Sequence, residues 1–259
     1  MNSTDLDALF NNARNDGALS DQTLRSLDVA DIGAQIQAAL GTPVDQVAAS
    51  EVVLVTLLMD DSSSIGSARN TQAVRDGHNL VLDALLASKQ KENVLVHCRY
   101  LNGTVLYPYC PLGHAARMDA HNYNPTGSTP LYDQSIVTLA TVVAKAQEFL
   151  DNGVAARTVS LIVTDGADYG SRRATPATVL ALAADMQRTE SHIIAGMGVE
   201  DGSTDFRRVF KDMGLRPEWI LTPGSGQTEI RKAFQVFSQS AVRASQCGKA
   251  FSPSNAFFN

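Results

Sequence analysis

Eight uncharged residues, Val52 to Met59, run directly into Asp60-Asp61-Ser62-Ser63-Ser64, with no turn signal between them. An apolar run of this length, rich in β-branched side chains, suits a strand buried on both faces in the middle of a parallel sheet. It is too short to cross a membrane. Beyond its end Asp60, Ser62 and Ser64 alternate. Alternate side chains of an extended backbone share a side, so one carboxylate and two hydroxyls can converge on one point. Hard oxygen donors suit Mg2+ or Mn2+, and the lack of Cys and His beside them argues against zinc.

The remaining chain reads as alternating elements. Helices are expected within 3–40, with Ser3 or Thr4 and then Ser20 as caps and Gly17 and Gly41 as breaks. Further helices are expected at 67–87, 130–151, 176–189, 205–213 and 227–243. The face of Val74, His78, Val81 and Leu85 makes His78 a core histidine, and Ile136, Leu139, Val143, Ala146 and Leu150 form a buried stripe. Strands are expected at 93–100, 104–112, 158–164, 193–199 and 219–221. Asn102-Gly103 signals a two-residue hairpin that would pair Cys98 with Tyr107 and Leu95 with Cys110, so the two thiols would not meet. The strand at 158–164 also ends in an acid, Asp165-Gly166. The fold class is therefore α/β, doubly wound and Rossmann-like, with a mainly parallel sheet, one antiparallel edge strand and an N-terminal helical extension. The expected organisation is an extension over 1–49, the α/β domain over 50–247 and a tail over 248–259. In such sheets ligands gather at the carboxyl ends of strands, where Asp60 and Asp165 both stand.

Composition narrows the function classes. The chain has 259 residues and a net charge of −6, which gives no electrostatic footprint for nucleic acid. Seven aspartates against two arginines give residues 1–50 a net of −5, a solvated helical face or a docking surface for a basic partner. The polar, acidic start lacks a basic and then apolar leader. The three cysteines (98, 110 and 247) form no CxxC pair, and with these features a reducing cytoplasm is the expected location. His114 and His121 lie in the expected loop 113–128, but their spacing is not that of helical metal ligands and no third soft ligand lies nearby.

Asp60-Asp61-Ser62-Ser63-Ser64-Ile65 resembles the DxSxS signature of von Willebrand factor A (VWA) domains. Thr126-Gly127-Ser128-Thr129-Pro130-Leu131-Tyr132 is similar to the second metal loop of that family, and Thr164-Asp165-Gly166 to its third element. The three occur in family order, and the resemblance covers about residues 50 to 243. It implies a metal-ion-dependent adhesion site (MIDAS). Ser62, Ser64 and Thr129 would give hydroxyl oxygens to Mg2+ or Mn2+, with Asp60 and Asp165 binding directly or through water and Thr126 as an alternative to Thr129. The family leaves one position for an acidic residue of a protein partner. Ser63 stands where many members have Gly, and Asp61 is expected to face solvent; turned inward, it would lower the metal's demand for a partner carboxylate.

Three function classes follow. The first is a non-enzymatic interaction module. The chain resembles compact intracellular bacterial members that act as adaptors beside AAA+ ATPases of the MoxR type, the ATPase or its client being the partner, with no nucleic acid, membrane or small-molecule substrate. A degenerate scaffold that binds through its N-terminal helices is a variant of this reading. The second is Mg2+-dependent phosphoryl transfer through Asp60, but such enzymes need a second acid two residues on, where Ser62 stands. Neither a P-loop nor a Gly-x-Ser-x-Gly elbow is present. The third is dinucleotide binding at Gly196-Met197-Gly198, which lacks the third glycine of that fingerprint.

Overall fold

The computed structural model of the chain describes residues 3–27 and 29–246. A six-stranded sheet runs in the order β3-β2-β1-β4-β5-β6. The strands are β1 Glu51–Met59, β2 Val94–Tyr100, β3 Val105–Pro111, β4 Ala155–Thr164, β5 His192–Gly198 and β6 Ile220–Leu221. β3 pairs antiparallel with β2, and the other pairings among the described strands are parallel. From β1 the chain winds outward through β2 and β3, then returns to the other side of β1 with β4. The crevice between β1 and β4 is therefore the topological switch point.

Strand periodicity sorts the core. Val53, Val55, Leu57 and Met59 of β1 pack on one face with α5 (Thr71–Leu86) and α9 (Gln227–Gln246). Leu58 points the other way, into a cluster shared with α6 (Leu131–Asp151), α7 (Pro176–Arg188) and α8 (Phe206–Asp212). Val74, His78, Val81 and Leu85 are all buried, as expected of the inner face of α5. His78 Nε2 lies 2.8 Å from the Tyr107 hydroxyl, and burial pushes its pKa down to about 4. A neutral core histidine is the result.

The N-terminal helices join this core. In α1 (Ser3–Asn15) Leu6, Leu9 and Phe10, and in α3 (Val29–Leu40) Ile36 and Leu40, share one cluster with α6. Ser20 caps α2 (Asp21–Ser26) by accepting from the Thr23 amide. Gln147 donates to Asp16 and Asn12 to Asp151, each over 2.8 Å, tying the C-terminal end of α1 to the last turns of α6. Gly41 ends α3 at φ 60°, and a Cβ there would lie 2.0 Å from the Tyr109 carbonyl oxygen, so no other residue fits this close approach.

Several expectations change in detail. The helix expected over 67–87 begins at Thr71 as α5, and a short helix, α4 (Ser63–Ser67), precedes it across Arg69, which takes φ 60°. Cys98 does face Tyr107, but bulges in the hairpin set Val96, not Leu95, opposite Cys110. Both cysteines are free thiols. Leu150 is 46% exposed, because Phe149 takes the inward position in the last turn of α6. Trp219 closes a 3-10 turn just before β6, and does not belong to the strand. The caps assigned to Ser3 or Thr4 and the tail over 248–259 fall outside the described side chains and residues.

If the extension is continuous with the core, Phe10→Ala should cost about 3–5 kcal/mol. Urea unfolding followed by the fluorescence of Trp219, which packs in the opposite layer, should report that loss in one transition. A Trp219 midpoint unchanged by the substitution would contradict it.

Candidate metal centre

The parallel register of β1 and β4 builds the site. Leu58 lies opposite Ile162, so two residues later Asp60 meets Thr164. The Thr164 hydroxyl donates to Asp60 Oδ2 over 2.8 Å. The Ser62 and Asp165 amides donate to Oδ1 and Oδ2 over 2.7 and 3.2 Å. Asp60 is fully buried, and its carboxylate depends on these donors. The Tyr123 hydroxyl donates to the Asp60 carbonyl, packing the loop before α6 beneath the site.

Ser62, Ser64 and Asp165 come together. Ser62 stands at the cap position of α4, yet its side chain makes no cap bond. Instead its Oγ lies 2.8 Å from Ser64 Oγ and donates to Asp165 Oδ1 over 3.4 Å. Ser64 donates to the same oxygen over 2.6 Å. Burial raises the Asp165 carboxyl to about 6; the Ser64 hydrogen bond opposes this, and the charge of Asp60 adds to it. Negative charge is crowded here without a counterion.

Thr129 enters through its backbone. Gly127 donates to the Asp61 carbonyl and accepts from the Ser63 amide, both over 3.0 Å. Thr129 and Tyr169 exchange two amide bonds of 3.0 and 2.8 Å. Residues 127–129 are thus strapped to the loops after β1 and β4. Thr129 is 6% exposed whereas Thr126 is open to solvent, which favours Thr129 for the hydroxyl role.

Asp61 is the clearest correction. It is 3% exposed rather than solvent-facing, because the hairpin after β2 folds over it and the Asn102 amide donates to its Oδ1 over 3.0 Å. Burial lifts its pKa to about 6, partly offset by that bond. His114 and His121 are both exposed.

A reciprocal clamp went unread in the sequence. The Asp168 carboxylate and the Ser171 hydroxyl accept from the Tyr132 amide over 3.2 and 3.1 Å, capping α6. In return Asp133 accepts from the Arg172, Arg173 and Ala174 amides over 2.8, 3.1 and 2.7 Å. An acid in the first turn of a helix is a visible start signal, but its partners forty residues on are not.

Two carboxylates and two hydroxyls meet at one crevice, a donor set that fits a small, hard divalent cation. Among the described residues no group of three or more His, Cys, Asp or Glu is placed to hold a metal, so hydroxyls must complete any such site.

Solved structures share this architecture. The pilus adhesin SpaC from Lactobacillus rhamnosus GG, in an open conformation, aligns with a TM-score of 0.55 and 14% identity, over 76% of this chain and 30% of that one. Proximal thread matrix protein 1 from the mussel byssus, with a zinc-occupied MIDAS motif, aligns with a TM-score of 0.51 and 16% identity, over 74% of this chain and 46% of that one. The chain has a von Willebrand factor A fold. It spans less than half the length of either protein. No family model matches the sequence, and no curated protein matches it. In this VWA fold Asp60, Ser62, Ser64 and Asp165 meet directly, and the backbone of Thr129 is strapped to the loop after β4.

The raised pKa of Asp165 means that its ionised form is held less well in the folded chain than in the unfolded one. That cost is present at neutral pH and relieved as pH falls through about 6. Asp165→Asn should therefore leave the metal-free melting temperature unchanged or higher, while abolishing any rise on adding Mn2+. Scanning calorimetry with and without Mn2+ reads both.

Proposed function

We propose that this chain is a protein-interaction module, not an enzyme, which captures an acidic side chain of a partner protein through a divalent cation, Mg2+ or Mn2+. The observation that carries this reading is the convergence of the Ser62 and Ser64 hydroxyls on Asp165 beside buried Asp60. Ser62, Ser64 and Thr129 offer neutral oxygens, and Asp60 and Asp165 act directly or through water. When bound, the cation supplies an electrophilic position for an outside carboxylate. A shell rich in neutral donors leaves that demand unmet by the protein itself. The Ser62 amide fixes one oxygen of Asp60, while Thr164 and the Asp165 amide fix the other. The Asn102 amide holds Asp61 Oδ1, which leaves Asp61 buried beside Asp60 without placing it among the proposed ligands.

The same bonds speak against phosphoryl transfer. Both oxygens of Asp60 are engaged and the residue is fully buried, which is unsuited to in-line attack. The finer reading is an adaptor in a cytoplasmic assembly, beside a AAA+ ATPase of the MoxR type or its client. The resemblance to compact intracellular family members supports it. Among the described residues no helix is long and apolar enough to cross a membrane.

Titration calorimetry with Mg2+ and Mn2+ should show binding to the native chain and loss in the Asp60→Ala, Thr129→Ala double variant. Phosphatase or ATPase turnover that disappears in Asp60→Ala would overturn the reading.

A further inference from the structure

Tyr169 carries a ring that the fold does not cover. It is 76% exposed, against 38%, 46% and 43% for Leu86, Leu150 and Leu180, which lie on helices away from the crevice. A lone exposed tyrosine is ordinary. This one differs in its neighbour and in its backbone. Tyr169 and Thr129 exchange both amide bonds as an antiparallel pair. Directly opposed residues of that kind project their side chains to the same side, with Cβ atoms about 5 Å apart. The ring is therefore rooted beside the side chain of Thr129, on a loop strapped to the residues that follow β1.

The backbone beneath it is fixed. Gly170 takes φ 117°, and a Cβ there would lie 3.3 Å from Ser128 Oγ. Asp168, one residue before, is bonded to the Ser171 hydroxyl over 2.5 Å and to the Tyr132 amide. Asp133 holds the amides of residues 172–174. A large amphipathic ring on a loop already ordered can anchor a partner with little further loss of entropy, and tyrosine is enriched among such anchors.

We infer that Tyr169 determines which acidic segment docks, by packing an apolar side chain that lies next to the carboxylate captured through the cation. This rests on the function proposed above. The chemistry of that neighbour follows from charge. A ring 76% exposed offers an apolar face, which packs an apolar side chain, and a bound cation beside it disfavours a basic one there. Spacing follows from geometry. In an extended segment, side chains two positions apart lie on one side, about 6.6 Å apart. The occupant is thus a protein segment with Asp or Glu and, two positions away, a large aliphatic or aromatic residue.

The test uses the full chain and a displayed library of random short peptides, selected in Mg2+ and released with EDTA, with Mn2+ calorimetry on each variant. Native chain and Tyr169→Phe should both release peptides that pair an acid with an apolar residue two positions away. Tyr169→Ala should bind Mn2+ as the native chain does, yet bind those peptides about tenfold more weakly and lose the apolar preference. Peptides that share an acid but no apolar neighbour, or a preference that survives Tyr169→Ala, would overturn the role of Tyr169 and leave metal-dependent capture standing. Mn2+ binding with no EDTA-released peptide would overturn both.

Discussion

The parallel pairing of β1 with β4 is the interaction on which the rest depends. Each strand ends in an acid, and the register sets the two ends level. Asp60 then takes donors from its own strand end and from its neighbour's. A slip of one residue would turn Asp60 to the other face and unmake the site. The sheet is kept from slipping by side chains on both faces of β1, each face with its own helical layer. Core packing and site geometry are one constraint at two ends of the same strand.

Crowded carboxylates give that site its tension. Asp165 and Asp61 both sit above their ordinary range because burial disfavours their charge. Around them the loops are held by short polar bonds as well as by buried apolar side chains: the Gly127 strap, the Thr129–Tyr169 pair and the exchange between Asp133 and Asp168. A VWA fold of this kind holds repelling groups close by ordering the backbone around them. Order of this sort suits ligand capture, since little has to be arranged on arrival.

The sequence shows elements whose signal is local. The apolar run of β1, the acid at each strand end, the helical stripe of α5 and the glycine stops could be read because each depends on residues within one turn or one strand. So could the meeting of Asp60, Ser62, Ser64 and Asp165, through two short motifs at neighbouring strand ends. What could not be read is long-range. Asp61 turns inward because a hairpin forty residues later covers it. Cys110 shifts register because bulges interrupt the hairpin. The Asp133 clamp joins a helix start to a loop beyond the next strand. In each case the residue type was plain and its partner was not.

α6 has a wider consequence. In a three-layer α/β protein the helix after the second metal loop normally shows one flank to water. Here β1, β4, α7, α1 and α3 all pack against it, and its buried positions run almost without gap from Leu131 to Gln147. A chimera that grafts this domain from Glu51 onward would carry α6 with a bare hydrocarbon flank, a sticky surface seeking any cover. A graft that starts at α1 keeps that flank covered by α1 and α3.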